Sequence, residues 1–98
     1  MEYEVHAYLG TVCIGNDLSD KYTVGEKRAI LFYLKADEGS SYDEIKAEDM
    51  IINLGFVNVE FSKIGKISHE KASVGSNKEY YYDAIEFGSA LVLYTDPI

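Results

Sequence analysis

Twice in this chain a Ser-x-x-Glu quartet opens a helical stretch that ends at a glycine and passes into β-forming residues. Ser41-Tyr42-Asp43-Glu44 leads to Gly55 and the run 56–61, and Ser76-Asn77-Lys78-Glu79 leads to Gly88 and the run 90–94. In such a capping box the serine accepts an early backbone N–H and the glutamate reaches back to the serine's own N–H. Glycine provides the left-handed stop. The pattern predicts two short helices, each followed by a strand.

The helical periods also assign faces. In the first helix Ala47, Met50, Ile51 and Leu54 share one stripe, which is expected against a sheet, while Ile45 and Ile52 fall outside it. In the second, Tyr80, Ala84 and Phe87 share a side with Tyr81 and Ile85, and Glu79, Tyr82, Asp83 and Glu86 face outward. Strand signals fill the remainder. Residues 2–9 alternate with period two, placing Glu2, Glu4, His6 and Tyr8 opposite Tyr3, Val5, Ala7 and Leu9, as a half-buried strand does. The pattern resumes after Gly10, where a kink or bulge is expected. Residues 15–25 read as a loop, and 28–35 as a central strand covered on both faces, although a short apolar run is also compatible with a buried helix. Residues 56–61 and 63–68 form one long bent strand or two short ones. Residues 69–75 read as a loop.

These elements predict a single α+β domain over residues 1–98, a two-layer sandwich with two helices on one face of a four- to five-stranded sheet. The leading form is ferredoxin-like and the alternative is a β-β-α-β-α-β variant. An apolar content of 47% is enough for one core without staples. The lone Cys13 has no disulfide partner in the chain, which with the acidic start Met1-Glu2-Tyr3-Glu4 leads to the expectation of a cytoplasmic protein without a secretory signal. No apolar run reaches membrane-spanning length.

Seventeen acidic against nine basic residues give a net charge of −8. That balance repels phosphate backbones and disfavours direct nucleic-acid binding. It serves solubility, as in many acidic proteins, or steers the chain toward a basic protein. Motifs for chemistry are sparse. Glu2, Glu4 and His6 on one strand face could hold a divalent metal, but a polar solvent face explains them as well, and no metal or other cofactor is expected. Asp17-x-x-Asp20 lacks EF-hand spacing. Cys13 sits among apolar neighbours and is expected to be a buried, inert thiol. Neither phosphate-loop glycine pattern is present, and no catalytic residue is assigned, so an enzyme is disfavoured.

Carboxylates cluster at Asp37-Glu38, Asp43-Glu44 and Glu48-Asp49. Tyr42 and Tyr82 stand beside acidic residues on the two helices. These eight residues are the expected partner-binding set. The stretches 47–61 and 79–94, where a helix ends in Gly-Phe or Gly-Ser-Ala and enters a β-run, resemble the small acidic immunity proteins of bacterial toxin systems. The resemblance covers under half the chain and carries over no binding residue. It implies a non-enzymatic inhibitor of a basic partner such as a nuclease toxin. Two alternatives remain: a phage-type anti-defence protein that mimics DNA, and a ferredoxin-like regulatory or small-ligand domain that dimerises through its sheet. Monomer and homodimer are both compatible with the sequence.

Overall fold

The computed structural model describes residues 3–74 and 77–97. Four strands, β1 (Tyr3–Ile14), β2 (Lys27–Asp37), β3 (Phe56–Ile67) and β4 (Ser89–Pro97), form one open sheet in the order β3-β1-β2-β4, with every neighbouring pair antiparallel. Helix α1 (Glu44–Asn53) joins β2 to β3, and helices α2 (His69–Val74) and α3 (Lys78–Phe87) join β3 to β4. The fold is therefore α+β. Its element order, β-β-α-β-α-α-β, follows the second of the two expected forms with one extra helix.

β1 and β2 form the centre of the sheet. β2 carries the apolar run 29–34, and it is a central strand as expected. β1 differs from expectation. Its polar-looking side is not a solvent face: His6 is 1% exposed and Tyr8 is fully buried, because β1 has a neighbour on each edge and packing on both faces. β4 is an edge strand, paired among the described residues with β2 alone, so its apolar run 90–94 is only partly buried.

Successive residues of a strand point to opposite faces, and in β2 this separates two cores. Phe32 packs with Tyr8, Val12, Ile30, Ala47 and Ile51 beneath α1. Its neighbour Tyr33 packs with Val5, Val92, Ala72, Tyr81 and Ala84 beneath α2 and α3. The helices thus lie on opposite faces of the sheet, which corrects the expectation of two helices on one face. The two crossovers explain it: β2-α1-β3 passes over β1, and β3-α2-α3-β4 passes over both central strands. Each takes its own face.

β3 has to present its apolar residues to a single core although they are not evenly spaced. Phe56, Val59, Phe61 and Ile64 all pack on the α1 side. Two register shifts against β1, between Leu9 and Gly10 and between Thr11 and Cys13, insert the extra residues that make this possible. Asn58, at φ 52, takes the left-handed conformation in the second bulge. At the first, Gly10 brings the backbones together: a Cβ there would overlap the Glu60 carbonyl. β3 is thus one long bent strand, the first of the two readings.

The helix ends were legible, with adjustments. α1 begins later than the Ser41 box implies: Asp43 is the N-cap, and its side chain accepts from the Lys46 N–H at 3.0 Å. Gly55, at φ 108, supplies the left-handed turn after it. The second box lies partly outside the described residues. Asn77 caps α3 in position but makes no side-chain cap hydrogen bond. Residues His69–Val74, read as loop, form α2. Ala72 is its buried contact with the second core, and the Ser68 hydroxyl accepts from the Lys71 N–H at 3.3 Å at its start. No described helix is long and apolar enough to cross a membrane.

Candidate functional site

The β2–α1 connection has to be held in place, because residues 37–43 carry few apolar side chains of their own. β1 holds it. Glu4, His6 and Tyr8 alternate onto the same sheet face, and each engages the connection at a different point. The Gly39 N–H donates to Glu4 Oε1 at 2.8 Å. The His6 ring lies edge-on to Tyr42 with centroids 4.7 Å apart. The Asp43 N–H donates to the Tyr8 hydroxyl at 2.9 Å. His6 Nε2 is in turn hydrogen-bonded to Glu4 Oε2, and Lys66 of β3 stands 3.4 Å from Glu4 Oε1.

This arrangement gives Glu4-x-His6 a structural role in place of the weighed metal site. Glu2 lies outside the described residues, and among the described residues no group of three or more His, Cys, Asp or Glu is placed to hold a metal. His6 spends its Nε2 on Glu4, and among the described residues no hydroxyl is hydrogen-bonded to the ring. A nucleophile–base pair is therefore not formed there. Cys13 is a free thiol and half-buried, more accessible than expected, because it lies near the end of β1 where α3 does not cover the sheet.

The Glu4 carboxylate is held down to about 2, first by the Gly39 N–H, then by His6 and Lys66. A carboxyl group lowered on folding stabilises the folded state above its unfolded value and loses that contribution as pH falls through the folded one. The expected result is a urea midpoint that falls between about pH 4.5 and 2 more steeply in the parent than in Glu4→Gln. Identical pH profiles for the two proteins would show that Glu4 does not pin the turn.

The connection and α1 place seven of the eight expected contact residues on one continuous stretch. Asp37 ends β2, Glu38 and Tyr42 lie in the turn, Asp43 caps α1, and Glu44, Glu48 and Asp49 project from it; all seven are exposed. Tyr82 is separated from them. It belongs to α3, on the other face of the sheet, where it is 45% exposed and contacts the rings of His69 and Tyr81.

Two residues outside that set complete the surface. α1 carries two stripes of spacing i, i+3, i+4, i+7. Ala47, Met50, Ile51 and Leu54 form the inner one, with Ala47 and Ile51 fully buried and Leu54 left half-exposed at the helix end. Ile45, Glu48, Asp49 and Ile52 form the outer one. Ile45 is 78% exposed and Ile52 is 42% exposed, so two isoleucines bracket two carboxylates in solvent. The signal was present in the sequence, since both isoleucines fall off the packing stripe.

Comparison with protein-family models, curated proteins and solved structures finds no match for this chain.

Proposed function

We propose that this chain is a non-enzymatic protein-binding module of the cytoplasm, an inhibitor or immunity-type protein that neutralises a basic partner such as a nuclease toxin. The observation that carries this reading is the outer stripe of α1. A helix face that served solubility alone gains nothing from two exposed isoleucines two turns apart. Apolar anchors within a charged rim are the anatomy of an interface. The stripe continues into Tyr42, Asp43 and Glu44 and on to Asp37 and Glu38, extending the acidic rim. With a net charge of −8, the field favours fast, salt-sensitive capture of a basic surface.

The test is capture from the native host by the parent protein and by an Ile45→Ala/Ile52→Ala variant, at low and high salt. The parent is expected to retain one basic protein, to inhibit that protein's activity at stoichiometric amounts, and to lose it as salt rises. Removing both anchors should weaken binding on the order of a hundredfold with little change in stability. A captured protein that is not basic, or equal binding by the variant, would overturn the reading. Displacement of nucleic acid from the captured protein would identify the DNA-mimicking form of the same chemistry.

A dimerising regulatory domain is the second reading, favoured by one feature. α3 packs chiefly on β4 and β2. Part of that sheet face is left open, where Ala7, Leu9, Leu31 and Ile67 line an apolar groove beside Lys63 and Lys66. Sedimentation separates the two: a tight homodimer at micromolar concentration favours the second.

A further inference from the structure

Under the β2–α1 connection lies a cavity of about 310 Å³, open at one side to solvent. Its floor is made by the buried His6, Tyr8 and Leu34, and its wall by Ser40. We infer that this cavity receives a cationic side chain, a lysine ammonium or an arginine guanidinium, presented by the partner. The inference rests on the protein-binding reading and adds a charged anchor to its two apolar ones.

The cavity lining holds unused acceptors. Ser40 Oγ is buried and has no hydrogen-bond partner among the described residues. A hydroxyl withdrawn from water without a partner is costly, and a donor group entering the cavity would satisfy it. Asp43 spends Oδ1 on the Lys46 N–H, which leaves Oδ2. Asp37, also on the lining, makes no side-chain ion pair among the described residues.

The charges around the cavity also suit a cation. Burial pushes the Tyr8 hydroxyl up, the Asp43 N–H opposes this, and the carboxylates of Asp43 and Glu44 beside the cavity floor add to the rise. Two cations approach the cavity. Lys35 contributes to the lining, but its ammonium is turned to the opposite sheet face, where it donates to the Ile85 carbonyl at 3.3 Å and lies over the Tyr3 ring. Lys46 is exposed at the mouth, free to turn its charge into water. The remaining charges at the opening, Asp37 and Asp43, are negative.

The test needs no partner. Backbone amide resonances of the full chain are followed during titration with N-acetyl-argininamide and N-acetyl-lysinamide, against sodium chloride at matched ionic strength. Saturable shifts are expected at Ser40, Ser41, Asp43 and Lys46, with a dissociation constant on the order of 10 mM. Asp37→Asn with Asp43→Asn should weaken binding about tenfold, asparagine still capping α1. Lys46→Gln should bind the cations at least as tightly. Shifts that merely follow ionic strength would overturn the inference. So would saturable binding of N-acetylglutamate that Lys46→Gln weakens, which would define an anion site. Capture of a basic partner through Ile45 and Ile52 without cation binding here would overturn the charged anchor and leave the apolar ones.

Discussion

Gly10→Ala is expected to destabilise the protein by about 3 kcal/mol, at the upper end for overpacking of a well-packed interior. The added methyl has nowhere to go: it would overlap the Glu60 carbonyl and crowd Phe61 Cα at 2.9 Å. These are backbone atoms, which cannot rotate aside as a flexible side chain would. Relief requires β1 and β3 to part at the bulge that keeps Phe61 and Ile64 on the α1 side. Gly65→Ala is the control. It lies on the partner strand β3, opposite Ala7 of β1, yet a Cβ there meets nothing within 4 Å, so a change within about 0.5 kcal/mol is expected. Urea unfolding followed by far-ultraviolet circular dichroism checks both. Equal midpoints for the two variants would mean that the strands are not in close approach at Gly10.

Tyr8→Ala should cost about 3 to 5 kcal/mol, because it empties the centre of the larger core. Tyr8 is fully buried, its ring lies 5.3 Å from that of Phe61 and 6.4 Å from that of Phe32, and its hydroxyl accepts the Asp43 N–H. Tyr8→Phe separates these roles. It keeps the ring and orphans one backbone donor at the start of α1, for an expected loss of about 1 to 2 kcal/mol. The same denaturation experiment reads both values. If the two variants lose equal stability, the ring does not carry the packing assigned to it. If Tyr8→Phe loses nothing, the hydroxyl does not hold the helix start.

The Tyr8 pair and the Glu4 pH profile concern one device. A strand whose alternate residues have the pattern of a polar solvent face uses them to fix the connection that presents the acidic residues. Period-two alternation identified the strand and put Glu4, His6 and Tyr8 on a common side. It could not say what lies over that side. A buried histidine and an exposed one have the same sequence spacing, and only the position of β1 between β3 and β2 covers it.

Local physics settled much of this protein in advance. The 3.6-residue period of α1 separated Ala47 and Ile51 from Ile45 and Ile52, and Gly55 and Gly88 ended their helices with φ of 108 and 98. Gly10 marked the bulge, and the apolar run 29–34 became the core of a central strand. The helix periods and stops depend on residues a few positions apart, whereas the bulge at Gly10 and the central place of 29–34 also need their partner strands.

What tertiary structure decided was which surfaces meet. The helices occupy opposite faces because one crossover runs from β2 to β3 and the other from β3 to β4, a choice made by strand order. β4 became an edge, α2 formed where a loop was expected because Ala72 found the second core, and Tyr82 was carried away from the other expected contact residues. Asp37, Glu38, Asp43, Glu44, Glu48 and Asp49 stayed together, since they are neighbours along one continuous segment. The cavity beside them could not be read from sequence at all. It exists only because β1 passes beneath that segment, bringing His6 and Tyr8 against Ser40 across more than thirty positions of chain.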